Sequence, residues 1–334
     1  MGDKQGITIK TISEMAGVSV ATVSRVINQN GRFSKETEER ILSIIKDCGY
    51  QPNELARGLR TNKAKVIGVI VPDITNDFFS RITLEIQKNL LKEDYVSIIC
   101  NTDESREMEQ IHYNSLKNLR VCGMIVAGQG AGSINKPDVP TVYIDRWRQQ
   151  EPDSENSPII CSDSRTGGYL ATKELIHKGC REICIVCFTR QEVETNLRFL
   201  GYADALREAG IPIKKENIFV TDRGDKDIGY ETTRKILSQK PGTDGIFYSV
   251  DFMAIGGITA AAEMERQIPT DLKIVGFDDS TISEMVNPPL TTIHQDVPQI
   301  AKKAVETLME LMENEEIGWK QYKVPVRLIP RRTT

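Results

Sequence analysis

Three loops that end apolar runs carry side chains able to grip a polar ligand. Asp73 and Asn76, with Phe78 and Phe79 close behind, follow KVIGVIVP; Asp145 and Arg146 follow VPTVYI; Asp278 and Asp279 follow LKIVGF. Arg198 opens the stretch RFLGY instead of ending a run. Carboxylates accept and guanidinium groups donate hydrogen bonds in pairs, which suits adjacent hydroxyls, and an aromatic ring covers an apolar C–H face. Asp145, Arg198, Asp278 and Phe79 could therefore form a cage for a sugar. Each also has a plain structural alternative: an Asp after a strand caps the next helix, and a Phe in an FF pair belongs to a core. Catalysis would need more than this. No nucleophile has a paired base, no phosphate loop is present, and His112, His177 and His294 are scattered without ligand spacing, so neither metal nor cofactor is expected.

A second set of residues suits DNA. In TIKTISEMAGVSVATVSRVIN, Thr8 caps a short helix whose Ile9, Ile12, Met15 and Ala16 share one face, and Gly17 ends it in a left-handed turn pinned by Val18. Ser19 caps a second helix in which Val23, Val26 and Ile27 point inward. Val20, Ala21, Ser24, Arg25 and Asn28 are left outside, with Thr22 near the start. Small side chains can approach thymine methyls, and Arg25 can reach a guanine or a phosphate, if this second helix lies in a major groove. An ordinary helical hairpin is the bland alternative.

The elements needed to position both sets can be read from periodicity. Ser34 caps a third helix, KETEERILSIIKDCG, whose Ile41, Ile44 and Ile45 would cover the first two. NELARGLRTN then has helical propensity but too few apolar residues to fold by itself, and reads as a solvated linker unless something holds it. From Lys65 onward, apolar runs alternate with helical stretches: KVIGVIVP, YVSIICNT, CGMIVAG, VPTVYID, REICIVCF, DGIFYSV and LKIVGFDD are separated by helices, including ones after Arg165, Arg198 and Ala254. That alternation implies parallel sheets covered by helices, and so many strands require two lobes.

Composition is compatible. The chain has 334 residues, enough for a small module and a bilobed body. Residues 1–65 carry 11 Lys plus Arg against 7 Asp plus Glu, while the whole chain has net charge −4. A basic head on an acidic body fits phosphate contacts at one end. No apolar run is long enough to span a bilayer and MGDKQG lacks the pattern of a secretion signal, so no membrane partner and a cytoplasmic location are expected. Seven cysteines without regular spacing suit reduced thiols. Cys184 and Cys187 form a CxxC in a β-type run, where residues three apart face opposite sides.

The run GVSVATVSRVIN closely resembles the opening motif of the lac and gal repressor family of bacterial transcription regulators. VPDITNDFF, IDR, RFLGY, GFDD and PPLTTIHQD continue the resemblance in order to the last strand. It implies an N-terminal all-α helix-turn-helix headpiece with a hinge helix (residues 1–61), joined to a two-lobed α/β periplasmic-binding-protein-like domain (62–334). The first lobe would span about 65–163 and 295–322, the second about 164–294 and 323–334. It also implies a hinge at NELARGLRTN in which Leu59, flanked by Ala56, Arg57 and Arg60, wedges into the minor groove. Ligand contacts would come from Asp145, Arg198 and Asp278, with Asp251 and Gln295 at matching positions. The sequence departs from the family pattern at Val250, where relatives often carry Asn, at Gly224, where an aromatic is expected, and at Cys180, which replaces a histidine. The expected protein is a homodimeric repressor of a pseudo-palindromic operator, controlled by a sugar between the lobes. A sugar-transport protein and a regulator responding to a purine are the alternatives.

Overall fold

The computed structural model describes residues 7–27, 30–49, 65–127, 138–145, 157–189, 193, 196–314 and 320–334. Asn28, Ala56, Arg57, Leu59, Arg60 and Arg146 lie outside the described residues. The chain divides into two compact units, Met1–Lys65 and Val66–Thr334.

Among the described residues of the first unit, local signals determine three helices: α1 (Ile9–Ala16), α2 (Val20–Ile27) and α3 (Lys35–Cys48). Thr8 and Thr11 make a reciprocal capping box, and Gly17 ends α1 with φ 63°, a conformation cheap for a residue without Cβ. The Ser34 side chain accepts from the Thr37 N–H, and Gly49 closes α3 at φ 61°. Ile12, Ala16, Val23, Val26 and Ile41 form the core, with Ile9, Val18, Ile27, Ile44 and Ile45 packed around it. Met15 does not join them. It is 55 % exposed, because Ile12 and Ala16 define the inward stripe of so short a helix and Met15 falls beside it.

The second unit contains two parallel sheets. The first has the order β11-β5-β4-β3-β1-β2, where β1 is Val66–Val71, β2 Val96–Asn101, β3 Gly123–Val126, β4 Thr141–Ile144, β5 Ile159–Ser162 and β11 Gln321–Val324. The second has the order β7-β6-β8-β9, with β6 Ile183–Phe188, β7 Ile218–Thr221, β8 Gly245–Tyr248 and β9 Lys273–Val275. An antiparallel pair, β10 (Thr292–Gln295) and β12 (Val326–Ile329), stands beside it. The helices are α4 (Asp77–Lys92), α5 (Arg106–Asn118), α6 (Ser164–His177), α7 (Leu197–Glu208), α8 (Lys226–Gln239), α9 (Asp251–Glu263), α10 (Thr281–Met285) and α11 (Val297–Glu313). Strand β1 is buried along its whole length, as a central parallel strand covered on both faces must be. The chain crosses between the lobes after β5, after β10 and between β11 and β12, so α11 packs into the core of the first sheet.

Several details differ from the sequence reading. Strands β5, β7 and β11 were not anticipated. Helix α9 begins at Asp251, ahead of Ala254. The C-terminal segment is locked in place: Thr333 is fully buried, its hydroxyl donates to the Ile274 carbonyl (2.7 Å), and the Thr291 N–H donates to the Thr333 hydroxyl (2.8 Å). Cys187 and Cys184 lie in the clusters on opposite faces of β6, as the strand geometry requires. Cys180 is buried, and its thiol donates to the Asp244 carbonyl (3.2 Å) in a structural contact.

Candidate functional site: a groove-reading helix and a carboxylate-lined cleft

The start of α2 is a small, open surface. The Ser19 hydroxyl accepts from the Thr22 N–H (3.1 Å) and pairs with the Thr22 hydroxyl (2.9 Å), so these two side chains are used in capping. Val20 is 38 % exposed, Ala21 and Arg25 are exposed, and Ser24 is half-buried. This helix end presents apolar atoms, a hydroxyl and a guanidinium without bulk, which is what close approach to base edges demands.

In the large unit, the residues singled out from the sequence divide between scaffold and site. After β1, Asp73 accepts from the N–H (2.9 Å) and hydroxyl (2.7 Å) of Thr75, forming a local turn. Asn76 caps α4 by accepting from the Phe78 N–H at 3.0 Å. Phe78 and Phe79 meet edge to face, with ring centroids 5.2 Å apart, inside the first-lobe core. Phe79 therefore does not cover a sugar face here: the same helical stripe carries Ile82, Ile86 and Leu90 onto the sheet and takes both rings with it.

Asp145, Arg198, Asp278 and Gln295 remain as the polar cluster. Asp145 ends β4 with φ 70°, and Asp278 follows β9 with φ 121°. Both are in the left-handed region that costs a non-glycine residue energy and that recurs at binding sites. The Arg198 guanidinium stacks 3.7 Å above the centroid of the buried Phe277 ring, donates to the Ser249 carbonyl, and lies 3.7 Å from Asp278 Oδ1. The Asn196 side chain fixes the start of α7 by accepting from the Arg198 and Phe199 N–H groups. On the other side of α7, a Cβ on Gly168 would stand 2.1 Å from the Arg198 carbonyl oxygen, so α6 and α7 approach too closely for any side chain there. Gln295 Nε2 donates to Asp278 Oδ1 at 2.8 Å, and its buried Oε1 has no hydrogen-bond partner among the described residues.

Burial pushes the Asp278 carboxyl well above its ordinary range. Arg198 opposes this, while the charges of Asp251 and Asp145 add to it. Asp251 has a different duty from the one expected. It is fully buried and accepts from the Thr292 hydroxyl (2.6 Å), the Ser280 N–H (2.8 Å) and the Ser280 hydroxyl (2.9 Å), bracing the loop that carries Asp278 from beneath. A buried carboxylate so engaged is not presented to the cleft, and burial pushes it up to about 6. Asp279 is the next brace. It accepts from His294 Nδ1 (2.8 Å) and Arg331 Nη2 (2.6 Å); burial pushes it up, but these two partners outweigh burial and hold its carboxyl below the usual range. Sequence reasoning missed Ser280, Thr292 and Arg331, whose roles depend on contacts across 29 to 52 positions that no local pattern announces. Among the described residues, no group of three or more His, Cys, Asp or Glu side chains could hold a metal, and no helix is long and apolar enough to cross a membrane.

Comparison with known proteins agrees with this division. Residues 8–53 match the family described as bacterial regulatory proteins, lacI family, and residues 172–334 match a periplasmic binding protein-like domain. The ribose operon repressor of Halalkalibacterium halodurans is 33% identical over 329 residues, covering 98% of this chain and 97% of that protein. The HTH-type transcriptional repressor PurR of Histophilus somni is 35% identical over 309 residues, 91% of each. A solved periplasmic binding protein/LacI transcriptional regulator from Alkaliphilus metalliredigens, complexed with D-xylulofuranose, superposes with a TM-score of 0.72 at 30% identity, covering 81% of this chain and 99% of that one. All three are named as repressors or transcriptional regulators. With its helix-turn-helix on α1 and α2 and its ligand-binding body built on two parallel sheets, the chain belongs to the lacI family of bacterial transcriptional regulators.

Proposed function

We propose that this regulator is a dimeric repressor released from its operator by a small neutral sugar, a pentose in the first instance. The observation that carries the reading is the cluster of Arg198, Asp278, Gln295 and Asp145, a guanidinium and an amide interleaved with carboxylates. Such a set donates and accepts at neighbouring points, as vicinal hydroxyls require. The name of the ribose operon repressor and the D-xylulofuranose in the solved relative support a pentose. A purine is the second reading, favoured by the PurR relatives. Among the described residues, Phe79 is buried in the core and the Phe277 ring is covered by Arg198, so neither offers a face on which a planar base could stack.

On the DNA side, Val20, Ala21, Ser24, Arg25 and Asn28 read the major groove. The segment from Ala56 to Arg60 acts as the hinge, and Leu59 wedges into a flexible base step. Two copies related by symmetry are needed, because one recognition helix covers few base pairs. The sugar must bind one arrangement of the lobes better than the other, and moving occupancy from 1:99 to 99:1 takes a differential of about 5.5 kcal/mol.

Thermal unfolding with D-ribose, D-xylulose, hypoxanthine and guanine tests the assignment. A true effector at 100 times its Kd stabilises by about 2.7 kcal/mol and raises Tm accordingly. A shift with a purine and none with any pentose overturns it.

A further inference from the structure

The two lobes of the large unit are tied together at one edge of the cleft. At the start of α4, in the first lobe, the Asp77 carboxylate accepts from the Thr281 N–H (3.2 Å) and the Thr281 hydroxyl (2.9 Å), both in the second lobe. One turn along α4, Arg81 donates to the Asp279 carbonyl (2.9 Å) and lies 3.4 Å from Asp77. The four groups close a ring.

The first lobe does not need this ring for its own fold. Asn76 already caps α4, which leaves the Asp77 carboxylate to reach outward. The start of α10 is the reverse case. Ser280 occupies the N-cap position but makes no capping bond, because its side chain is turned to Asp251, and the carboxylate that takes the Thr281 N–H belongs to the opposite lobe. Docking the lobes therefore completes the first turn of α10. Side-chain exposures of 33 % for Arg81 and 22 % for Asp77 leave water able to replace every contact when the lobes part.

The loop that receives the ring also presents Asp278. Asp251 holds Ser280, while His294 and Arg331 hold Asp279, so residues 278–281 move as one piece. We infer that Asp77 and Arg81, with Thr281 and the Asp279 carbonyl, form a latch that holds the lobes in the effector-binding arrangement, so that both side chains are positioning residues that set effector affinity without touching it. This rests on the reading of the cleft as the effector site. Apparent affinity falls in proportion to the fraction of molecules in the binding-competent arrangement, so a weaker latch is a weaker effector.

The test uses full-length parent, Asp77→Ala, Thr281→Val and the double variant. Amide hydrogen exchange of effector-free protein reads the latch with no ligand present: Asp77→Ala should speed exchange at residues 281–285 by about 3- to 10-fold, and Thr281→Val, which keeps the N–H, by less. Titration calorimetry with D-ribose should show Kd weakened about 3- to 10-fold in Asp77→Ala, at an unchanged urea midpoint. Thr281→Val should add little on top of Asp77→Ala, since both cut one ring. Exchange at 281–285 equal to the parent overturns the latch, and so does faster exchange with an unaltered Kd. Faster exchange in Asp77→Ala, together with a parent that binds no D-ribose, supports the latch and sinks the sugar.

Discussion

Replacing Asp251 by asparagine should remove most of a pH-dependent destabilisation built into the loop. The Asp251 carboxyl is fully buried, and burial first, then the charge of Asp279, raises it from 3.8 to about 6 against the pull of Thr292 and Ser280. The folded state thus holds this proton more tightly than the unfolded chain does. Its contribution to stability is complete below pH 4 and is lost as pH rises through 6. Two units at about 1.4 kcal/mol each make about 3 kcal/mol. Asparagine does not titrate, yet it can keep the contacts: its oxygen accepts from the Ser280 N–H and hydroxyl, and its NH2 donates to Thr292, whose hydroxyl can reverse from donor to acceptor. In urea unfolding followed across pH, Asp251→Asn should therefore gain on the parent by about 3 kcal/mol between pH 4 and pH 7. Asp279 works in the opposite sense, since its lowered carboxyl contributes stability above the usual carboxylate range that is lost on acidification, and the same substitution relieves Asp278, whose carboxyl the Asp251 charge helps to raise, so the gain belongs to the coupled group of carboxylates. A difference that stays flat from pH 4 to pH 7 would refute the assignment of Asp251 as a buried charge. Asp251→Ala separates charge from contact, because it orphans the buried Ser280 N–H and should cost about 1–3 kcal/mol even in acid.

Gly168→Ala places a methyl 2.1 Å from the Arg198 carbonyl oxygen, so α6 and α7 must part; a urea midpoint lowered by the equivalent of about 1–3 kcal/mol is expected. Arg198→Met keeps an apolar stem over Phe277 but removes the guanidinium, and D-ribose affinity by calorimetry should fall at least about tenfold, the worth of one hydrogen bond to a charged group. Ser19→Ala takes the cap from α2 and should destabilise the head by about 1 kcal/mol, read as an earlier loss of helical circular dichroism on heating.

What could be read from the sequence was what local physics determines. The caps at Thr8, Ser19 and Ser34 and the left-handed Gly17 and Gly49 act within a few residues, so the three head helices were legible to within a residue. The alternation of apolar runs and helices was equally plain for strands such as β1, whose six residues are all buried. It failed for β5, β7 and β11, and it could not separate a carboxylate that faces a cleft from one that braces its rim. Asp251 and Asp278 look alike in sequence, each ending an apolar run. The difference is made by Thr292 and Ser280, 41 and 29 positions away. Phe79 failed for a related reason: helical phase places it inward, and the FF pair does not reveal phase by itself.

The backbone of the loop explains why so many side chains converge on it. Asp278 and Asp279 both have positive φ, at 121° and 52°, a geometry that costs a non-glycine residue about 1–3 kcal/mol. Such a conformation persists only if its surroundings over-determine it, and they do. The Asp278 N–H donates to the Ile293 carbonyl, Gln295 holds its carboxylate, Arg331 and His294 clamp Asp279, and Asp251 anchors Ser280. Those partners come from α9, β10 and the chain terminus, so the loop is an output of the folded second lobe. A loop held this firmly keeps Asp278 at a fixed angle to Arg198 whether or not a ligand is present, which reduces the ordering cost of binding. The same rigidity makes any displacement of Asp278 a displacement of Thr281, and through Thr281 of the other lobe.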